Sequence, residues 1–465
     1  MSEKKYPMLI NGEKISTKQS FNVVNPSTGE VLGQVPEIDA DSIQLTLKSA
    51  DAGFKAWSAK TPAERKTVIL RYAEVLEQNS KRIIALLRAE TGKPQDNAEY
   101  DFGMLGNCLR FFVEEMERLD QPVLHDPDGR FMHYMLRQPL GVCVGMLAWN
   151  FPLLNVAYKI GPALAAGCSV ILKPSTETPL ASLEVAYLAK EAGLPDGVIN
   201  MVTGRDHEMM KNMLKSDIPS MVTMIGSTRG GLEVMNAACT SIKHFSVELG
   251  GNAPVVVYPD ADVADAATKV VDLKFANCGQ VCVSPNRCFV HESVYDEFVE
   301  AAKARAMEVE MGPLISEKAR AYILGLVESA VADGADVVCG GQAKDGEGFF
   351  MEPTILANVV RKMNVAYEEI FGPVLPIIKY SDSDDEIALA NDTQYGLAAY
   401  VFTTNLKNGL RAARDIQAGS VCVNEPHYSV QLPHGGLKQS GVGKDCSRYS
   451  LEEYLTLKRV SVLVD

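Results

Sequence analysis

The sequence has no hydrophobic run long enough to cross a bilayer. Its longest apolar runs, such as residues 142–149, fall far short of the roughly 20 residues that a membrane-spanning helix requires. The first residues, Met-Ser-Glu-Lys-Lys-Tyr-Pro, also lack the apolar core of a secretory leader. We therefore expect a cytoplasmic protein.

Closely spaced cysteine pairs are missing as well. The ten cysteines are scattered along 465 residues without a Cys-x-x-Cys pair, which favours reduced thiols over a disulfide framework or a zinc site. Cys278 and Cys282 lie near each other, but no His-x-x-x-His and no second cysteine pair follows them. We expect no metal.

Positive charge is in deficit. The 45 Lys and Arg residues are outnumbered by 59 Asp and Glu residues, which gives a formal net charge of -14. Because binding to nucleic acid or to an anionic membrane requires a basic surface, we expect neither as a partner. The net charge does not constrain a small-molecule substrate, which meets only the local field of its site.

Apolar residues, in contrast, are plentiful enough for more than one core. At 465 residues with 46% hydrophobic content, the chain is predicted to form two or three globular lobes. Turn residues and short apolar pieces predict strands over residues 1–40. Residues 41–91 read as amphipathic helices, with a capping signal at residues 61–64 (Thr-Pro-Ala-Glu). Residues 92–94 (Gly-Lys-Pro) are predicted to end this helical array.

Strand and helix patterns then alternate along the chain. Between residues 140 and 248 they alternate five times, which indicates βαβ units around a parallel sheet and hence a Rossmann-like dinucleotide lobe. The predicted strands are residues 142–148, 169–172, 198–202, 221–225 and 245–248, and the helices between them include residues 153–166 and 179–192. A second α/β lobe is predicted from elements at residues 255–258, 263–275, 287–291, 319–333, 336–339 and 373–380.

A thiol and a carboxylate stand out as a possible catalytic pair. Cys282 ends residues 275–282 (Phe-Ala-Asn-Cys-Gly-Gln-Val-Cys), and Glu248 ends an apolar strand-like run that is followed by two glycines. A nucleophile and a general base are what a covalent enzyme needs. The alternatives are a cysteine that is merely buried and a glutamate in a structural ion pair. The Gly-Gln turn and the glycines favour the catalytic interpretation.

Residues 275–282, with residues 248–254 (Glu-Leu-Gly-Gly-Asn-Ala-Pro), resemble the active-site pair of the NAD(P)-dependent aldehyde dehydrogenase superfamily, and the resemblance extends over nearly the whole chain. It implies an α/β fold with a Rossmann-like dinucleotide-binding lobe, a second α/β catalytic lobe and a small β oligomerisation arm. Cys282 would add to an aldehyde, hydride would pass to a nicotinamide, and a thioester would remain. Glu248, in an apolar pocket that raises its pKa, would activate the hydrolytic water.

Asn150 is the third predicted catalytic residue. It lies in residues 149–152 (Trp-Asn-Phe-Pro), at the carboxyl end of the first strand of the dinucleotide lobe, where such sheets bind ligands. An asparagine before an aromatic-Pro break can simply form a turn. The resemblance to the family's Trp-Asn-Phe-Pro motif implies instead that its amide donates to the developing oxyanion, beside the backbone N–H of Cys282.

The implied cofactor is NAD or NADP. Residues 226–231 (Gly-Ser-Thr-Arg-Gly-Gly) follow a strand and open a helix, so their backbone amides can receive a pyrophosphate. They lack the three-glycine fingerprint but match the family's own Gly-Ser version. Thr176 stands where NAD-preferring relatives often carry an acidic residue, so we expect NADP at least to be tolerated. The predicted cofactor contacts are Trp149, Lys173, Ser175, Thr176, Gly226, Ser227, Leu249, Glu369 and Phe371.

The resemblance also implies a division of the chain. The dinucleotide-binding domain would comprise residues 1–120 and 140–250, and the catalytic domain residues 251–440. Residues 121–139 and 449–465 would form the oligomerisation arm of a homodimer or homotetramer, with a surface hairpin of a monomer as the alternative. Residues 309–314 stand where relatives have a longer Gly/Asp-rich loop, so either this loop is short or a segment is absent from this sequence.

The substrate is the least determined feature. Succinate-semialdehyde dehydrogenases clamp the distal carboxylate with two arginines, and the matching positions here are Tyr158 and Ala276, which cannot form such a clamp. His427, Tyr428 and His434 suit hydroxyl groups and resemble the lactaldehyde and glycolaldehyde branch, although each histidine can have a plain structural role.

We therefore predict a short hydroxyaldehyde such as lactaldehyde, glycolaldehyde or sulfolactaldehyde as the substrate. Succinate semialdehyde is the alternative, and it would need another cation, for which Arg287 and Lys438 are the candidates. A structural or binding member of the family without activity would lack the nucleophile or the base, and both are present here.

Overall fold

The computed structural model describes residues 4–464, and within that range the chain forms four β-sheets with covering helices. The N-terminal part confirms the predicted strands and amphipathic helices. At the start of the second helix Thr61 and Glu64 form the predicted capping box. The elements are β1 (Met8–Ile10), β2 (Glu13–Ile15), β3 (Ser20–Val24), β4 (Val31–Pro36), α1 (Ala40–Ser58), α2 (Pro62–Gln78), α3 (Ser80–Thr91) and α4 (Gln95–Glu117).

The predicted end of the helical array at residues 92–94 is wrong. Gly92 does end α3, with a φ of 72°, but Pro94 immediately precedes α4, a helix of 23 residues. Proline is compatible with the start of a helix because the first N–H groups have no intrahelical partner. The Gly-Lys-Pro sequence is therefore a turn between two helices.

The first large sheet has eight strands in the order β19-β11-β10-β7-β8-β9-β1-β2. Strands β7 to β11 are parallel to their neighbours in that group, whereas β1, β2 and β19 are antiparallel additions at the two edges. The elements of this part are β7 (Val142–Met146), α5 (Pro152–Ala166), β8 (Ser169–Lys173), α6 (Leu180–Tyr187), β9 (Ile199–Met201), α7 (His207–Leu214), β10 (Pro219–Ile225), α8 (Thr228–Ala238) and β11 (His244–Glu248).

The five predicted strands of this sheet are confirmed, but the helix predicted for residues 179–192 is too long. Helix α6 ends at Tyr187. Beyond it, Leu188 and Ala189 donate backbone hydrogen bonds to the carbonyls three residues earlier, which tightens the chain into turns.

The second large sheet has seven strands in the order β14-β15-β16-β13-β12-β17-β18. The predicted second α/β lobe is thus present, with β14 as an antiparallel edge strand. Its elements are β12 (Ala253–Val257), α9 (Val263–Phe275), β13 (Pro285–His291), α10 (Tyr295–Ala306), α11 (Glu317–Ala332), β14 (Asp336–Cys339), β15 (Thr354–Ala357), α12 (Asn364–Tyr367), β16 (Val374–Tyr380), α13 (Glu386–Asn391), β17 (Ala398–Phe402), α14 (Leu406–Asp415) and β18 (Ser420–Val423).

Both large sheets are buried on both faces. The largest core, around Trp57, Tyr72 and Phe112, lies between the first sheet and the N-terminal helices, and a second core covers the opposite face. Two further cores enclose the second sheet, one around Phe289 and one around Phe298. Parallel strands require such double coverage, which agrees with their continuous apolar sequences.

The two sheets meet at Glu248. Strand β11 ends at Glu248, and the next strand, β12, begins at Ala253 in the other sheet. The chain later returns as β19 (Gly441–Val442), which pairs antiparallel with the last residues of β11. Residues 249–252 are therefore the short connection on which the relative position of the two sheets depends.

A small third sheet lies outside the two large ones. It consists of β5 (Val123–Leu124), β6 (Phe131–Pro139) and β20 (Leu455–Leu463), and helix α15 (Ser447–Glu453) leads into β20. Large apolar side chains are exposed on this sheet: Val123, Leu124, Phe131, Met132, Leu457, Val462 and Leu463. Such exposure suits the predicted oligomerisation arm, and the homo-oligomer stays a prediction.

The predicted domain boundaries also stay predictions. The two large sheets follow them closely, except that β19 lies beyond residue 440 and yet adds to the first sheet. Residues 1–3 and 465, which the predicted ranges include, lie outside the described residues. Within residues 4–464, each helix is too short or too polar to cross a membrane.

Candidate active site

A cavity of about 480 Å³ lies where the carboxyl end of the first sheet faces the second lobe. It is lined by side chains from both lobes, and all three predicted catalytic residues and all four predicted substrate residues lie on its wall. Residues far apart in sequence, from Tyr100 to Cys446, contribute to it. A concave, mostly apolar cavity with a few convergent polar groups is the usual form of a small-molecule site.

Cys282 is presented by a tight turn that follows α9. In that turn the non-glycine residues Asn277 and Cys278 have positive φ angles of 47° and 58°, which is uncommon for such residues. Gln280 braces the turn, because its side chain accepts a 2.9 Å hydrogen bond from the backbone N–H of Ile315 and donates to the carbonyls of Asn277 and Pro313. The Cys282 thiol is half-buried at the cavity wall.

The short 309–314 segment therefore has a structural role. Its carbonyl at Pro313 accepts a 3.3 Å hydrogen bond from Gln280, and the following residue, Ile315, donates to the same side chain. This part of the connection between α10 and α11 thus buttresses the nucleophile turn.

The glycines after Glu248 allow the two lobes to approach each other. A Cβ atom at Gly251 would lie 2.1 Å from the carbonyl oxygen of Cys282, and one at Gly250 would lie 2.6 Å from the Glu369 carboxylate. Gly251 has no room for a side chain, because the atom it would meet belongs to the backbone, whereas a side chain at Gly250 would require Glu369 to move. The glycines thus permit close packing around Cys282 rather than merely leaving Glu248 in an open cleft.

Glu248 is buried at the end of β11, with its Oε1 4.0 Å from Cys282 Sγ. Burial by itself raises its pKa, but the charge and hydrogen bond of His434, with Lys159 and Asp445, outweigh burial and hold the pKa below its usual value. The expectation that an apolar pocket raises this pKa is therefore wrong. The residues next to Glu248 in the sequence give no indication of the charged side chains that the fold brings against it.

His434 contacts Glu248 directly, as a close ion-pair contact between its Nε2 and Oε1. Ligand atoms of Glu248, Cys282 and His434 all lie within 4.8 Å of one another. Burial by itself lowers the pKa of His434, but the charge of Glu248 and hydrogen bonds to Cys282 and Glu248 raise it well above the usual value. His434, predicted as a substrate contact, thus belongs to the immediate surroundings of the nucleophile and base.

A buried ion pair lies behind Glu248, and the sequence did not predict it. Lys159 Nζ lies 2.7 Å from Asp445 Oδ1, with both side chains almost fully buried. Burial raises the pKa of Asp445 to about 6, against the opposing charge of Lys159. The two residues come from α5 and from the segment before α15, and no local pattern connects them.

Asn150 is buried beside the nucleophile turn. Its Nδ2 donates a 3.1 Å hydrogen bond to the carbonyl of Gln280, and its own carbonyl accepts from Asn277. An amide nitrogen has two N–H donors, so one remains for the oxygen of an aldehyde whose carbon is bonded to Cys282 Sγ. Asn150 therefore lies beside the nucleophile turn, and its oxyanion role stays a prediction.

A second crevice, lined by predicted cofactor residues, runs along the carboxyl ends of β8 and β10 and shares Trp149, Ile225 and Ser227 with the catalytic cavity. Ser227 is the N-cap of α8, and its hydroxyl accepts from the N–H of Gly230. Lys173, Ser175 and Thr176 line the far end, and burial lowers the pKa of Lys173 to about 8. A helix N-terminus at a strand end suits a pyrophosphate.

The other predicted cofactor residues lie nearer to the thiol. Glu369 accepts a 2.9 Å hydrogen bond from the N–H of Gly251, and burial raises its pKa to about 7. Phe371 packs edge-to-face on Trp149 with ring centroids 5.2 Å apart, and Leu249 lines the cavity between them and Gly226. The two connected cavities thus fit an elongated dinucleotide whose reactive ring would face Cys282.

The predicted substrate residues converge on His434. The ring of Tyr158 lies 6.3 Å and the ring of Tyr428 lies 6.0 Å from it, centroid to centroid. Tyr428 also hydrogen-bonds to the Tyr400 hydroxyl, and His427 lines the same cavity.

Neither candidate replacement cation reaches the cavity. The guanidinium of Arg287 is buried and donates to the backbone carbonyls of Asn252, Leu389 and Ala390. The ammonium of Lys438 donates to the carbonyls of Asn391 and Thr393. Of the described residues, those that line the cavity include neither lysine nor arginine.

Known proteins were then compared with this chain. A model of the aldehyde dehydrogenase family matches residues 14–460. A succinate-semialdehyde dehydrogenase [NADP(+)] from Escherichia coli is 36% identical, with 98% of this chain and 97% of the relative covered. A 3-sulfolactaldehyde dehydrogenase from Pseudomonas putida is 35% identical, with 95% and 93% covered. A solved 3,6-anhydro-L-galactose dehydrogenase, in complex with NAP, is 35% identical with a TM-score of 0.95, with 99% and 100% covered.

The close packing at Gly251 generates a test of the geometry. We expect Gly251→Ala to lower kcat by about a hundredfold, because its Cβ would displace the backbone of Cys282 and a shift of this size near the reacting atoms is enough for such a loss. Steady-state kinetics measures the effect. Gly325→Ala in α11, where a Cβ meets nothing within 4 Å, is the control; similar kcat values for both variants would contradict the proposed constraint.

Proposed function

Because the chain belongs to the aldehyde dehydrogenase family, as the family model over residues 14–460 shows, we propose that it oxidises a short, uncharged hydroxyaldehyde to its carboxylic acid with NAD or NADP. Lactaldehyde and glycolaldehyde represent this substrate class. The observation that carries the proposal is the absence of lysine and arginine from the described lining of the catalytic cavity.

The cavity wall supports a neutral rather than an anionic substrate. A carboxylate or sulfonate taken into a cavity that excludes water needs a cation and charge-assisted hydrogen bonds. Tyr158 and Ala276, which match the two clamp arginines of succinate-semialdehyde dehydrogenases, lie on the wall. Lys159, next to Tyr158, is held by Asp445. His434 is engaged by Glu248. A distal negative charge would therefore be left without a dedicated partner.

The hydroxyl groups of a substrate would find hydrogen-bonding partners in this cavity. His427, Tyr428, Ser420 and Ser429 line the part of the cavity beyond Cys282, and their side chains can donate and accept hydrogen bonds. The relative that acts on 3,6-anhydro-L-galactose, a substrate with hydroxyl groups and no charge, supports the same class.

The second candidate is an aldehyde with a distal acid group: succinate semialdehyde, the alternative named above, or sulfolactaldehyde, which was predicted above among the hydroxyaldehydes but carries a sulfonate. It is favoured by the names of two relatives, a succinate-semialdehyde and a 3-sulfolactaldehyde dehydrogenase. Both substrates carry a negative charge. We rank this candidate lower because identities of 36% and 35% leave the substrate contacts free to differ, and the cavity wall has the apolar composition described above.

The proposed chemistry uses three side chains. Cys282, as a thiolate, adds to the aldehyde carbon, and Asn150 and the N–H of Cys282 donate to the oxygen that becomes negative. NAD or NADP, held by the residues of the cofactor crevice, would supply the hydride acceptor for oxidation of this adduct to the thioester. Glu248 then takes a proton from water as the water attacks the thioester carbon, which releases the acid and regenerates the thiol.

The crevice suggests how the cofactor is selected. Thr176 lines its far end in place of an acidic side chain, with Lys173, Arg205, Lys211 and Arg229 around it. Arg205 and Lys211 are paired with Glu37 and Glu208, so the local field is only moderately positive. We propose that NADP is accepted beside NAD, with Lys173, Ser175 and Thr176 facing the adenosine ribose.

Removing the nucleophile tests the covalent mechanism. We expect Cys282→Ala to lower aldehyde oxidation by more than about three orders of magnitude, while the dissociation constant of the dinucleotide, measured by fluorescence titration, stays nearly unchanged. Substantial residual turnover would contradict the assignment of Cys282 as the nucleophile, whereas an unmodified protein that binds the dinucleotide without oxidising any aldehyde would indicate an inert binding role.

Replacing the base separates the two chemical steps. Glu248→Gln should still produce a rapid burst of reduced cofactor in stopped-flow absorbance and then stall at the thioester, because only hydrolysis needs the base. If the burst disappears, Glu248 is required earlier, for the thiol.

The cofactor preference follows from Thr176. We expect the kcat/KM values for NAD and NADP to differ by less than about two orders of magnitude, since one charge contact contributes ~1 to 3 kcal/mol. Thr176→Glu should shift the ratio towards NAD, with Thr176→Gln as the uncharged control of equal length. A ten-thousandfold preference of the unmodified protein for NAD would show that another group excludes the phosphate.

The substrate class is tested by direct competition. Lactaldehyde or glycolaldehyde should have a kcat/KM above that of succinate semialdehyde by about two to four decades, because two missing charge-assisted hydrogen bonds cost the dicarboxylic substrate ~3 to 6 kcal/mol. Ala276→Arg should raise the value for succinate semialdehyde, whereas Ala276→Gln, which adds length without charge, should not. Higher efficiency of the unmodified protein with succinate semialdehyde would favour the second candidate.

A further inference from the structure

His434 stands between the two reactive groups of the cavity. Its Nε2 is in close contact with Glu248 Oε1, and a nitrogen of its ring lies within 4.8 Å of Cys282 Sγ. The Glu248 oxygen itself is 4.0 Å from the sulfur. One imidazole therefore faces both a carboxylate and a thiol, which are the two groups that carry negative charge in the reaction proposed above.

The imidazole is held in this place from several sides. The backbone N–H of His434 donates to the carbonyl of Asp445 and that of Asp445 donates back to His434, both at 2.7 Å. The rings of Tyr158 and Tyr428 pack against it. A side chain fixed by backbone pairing and by two aromatic rings has little freedom to turn away from Glu248.

The charges around the imidazole explain why a positive charge would be needed at this place. A thiolate on Cys282 beside an ionised Glu248 places two negative charges in one buried site, and like charges at such distances disfavour each other. The titratable groups facing His434 and its two partners come from several elements. They are Glu248 from β11, Cys282 from the nucleophile turn, Lys159 and Tyr158 from α5, Glu369 from the segment after α12, Tyr428 from the segment after β18, and Lys444, Asp445 and Cys446 from the segment before α15.

The other charged groups in this set are already neutralised or engaged elsewhere. Lys159 and Asp445 form an ion pair with each other, and Lys444 donates to the carbonyl of Gly435. The imidazole of His434 is thus the basic group in direct contact with the Glu248 carboxylate and next to the sulfur.

We propose that His434 is a positioning residue which, as its imidazolium, holds the Glu248 carboxylate in place and supplies the positive charge that allows a Cys282 thiolate to exist beside it. This rests on the proposed function, which makes Cys282 the nucleophile and Glu248 the base. When the thiol ionises, the S–H bond breaks, the electron pair stays on sulfur, and the proton passes to water. His434 keeps its own proton throughout, so the three groups change from no net charge to one negative charge.

The pKa directions agree with this arrangement. Burial raises the pKa of the Cys282 thiol, the hydrogen bond to His434 lowers it in part, and the Glu248 charge raises it. Without His434 the pKa values of both Cys282 and Glu248 would rise. The Cys282 thiolate would then form only at a higher pH. On acidification, Glu248 would become protonated at a higher pH than it does with His434 present.

Thiol alkylation of the resting protein tests the proposal without any aldehyde. The rate of Cys282 modification by iodoacetamide is measured against pH, in the presence of EDTA, with mass spectrometry to follow the Cys282 peptide among the other cysteines. We expect His434→Phe, which keeps an aromatic ring between Tyr158 and Tyr428, and His434→Gln, which keeps a hydrogen-bonding group, each to raise the midpoint by one pH unit or more. Alkylation below the midpoint should slow about tenfold or more.

The contrasting variant is Glu248→Gln, which removes a negative charge from beside the sulfur and should lower the midpoint. His244→Gln is the matched control, because His244 lies on the same strand and pairs with Glu453 at the surface, and its midpoint should equal that of the unmodified protein. Unchanged midpoints in both His434 variants, or a rise in the Glu248→Gln variant as well, would overturn the proposal, since packing rather than charge would then govern the thiol.

A measurement on the unmodified protein covers the case in which the His434 variants do not fold. The imidazole NMR signal that Glu248→Gln perturbs should report a protonated ring at pH 7.5, and a neutral ring would overturn the proposal. Neither experiment uses a substrate. A wrong substrate class would therefore leave these results intact, whereas a wrong role for His434 would alter them and leave the substrate preference unaffected.

Discussion

Gly251 lies so close to the carbonyl oxygen of Cys282 that a Cβ atom would be only 2.1 Å from it. The contact joins the end of the first sheet to the nucleophile turn of the second lobe. Glu248, the thiol and the Glu369 carboxylate that accepts from the N–H of Gly251 all take their positions from this approach of two backbones. Gln280 fixes the turn from the opposite side, so the thiol is placed by main-chain packing rather than by contacts of its own.

The polar groups behind this contact form a compact set of opposite charges. Glu248 is paired with His434 and Lys159 with Asp445, and all four side chains are largely removed from water. Burying a single charge is costly, and removal of one partner of a buried pair is strongly destabilising. The ionisation of the predicted base is therefore set by its neighbours and not by the apolar character of its strand.

Cationic side chains are distributed unevenly between the two connected cavities. Lysine and arginine side chains line the cofactor crevice. The described lining of the catalytic cavity contains aromatic, aliphatic, hydroxyl, amide, thiol, imidazole and carboxylate groups, without lysine or arginine. An anionic dinucleotide and an uncharged aldehyde suit these two environments. The proposed substrate class rests on this contrast within one molecule.

Local signals in the sequence determined much of this protein. Alternating apolar and helical patterns predicted both α/β lobes. The capping box was recognisable because Thr61 and Glu64 are three residues apart. The motifs at Cys282, Glu248 and Asn150 identified the family. The position of α4 and the end of α6 were misjudged, because a proline can open a helix as well as close one and because tight turns after Tyr187 leave no periodic signal. The tertiary structure alone decided the pairing of His434 with Glu248 and of Lys159 with Asp445. Lys159 and Asp445 are 286 residues apart in sequence, and the pKa of a buried group depends on which distant charges the fold brings against it.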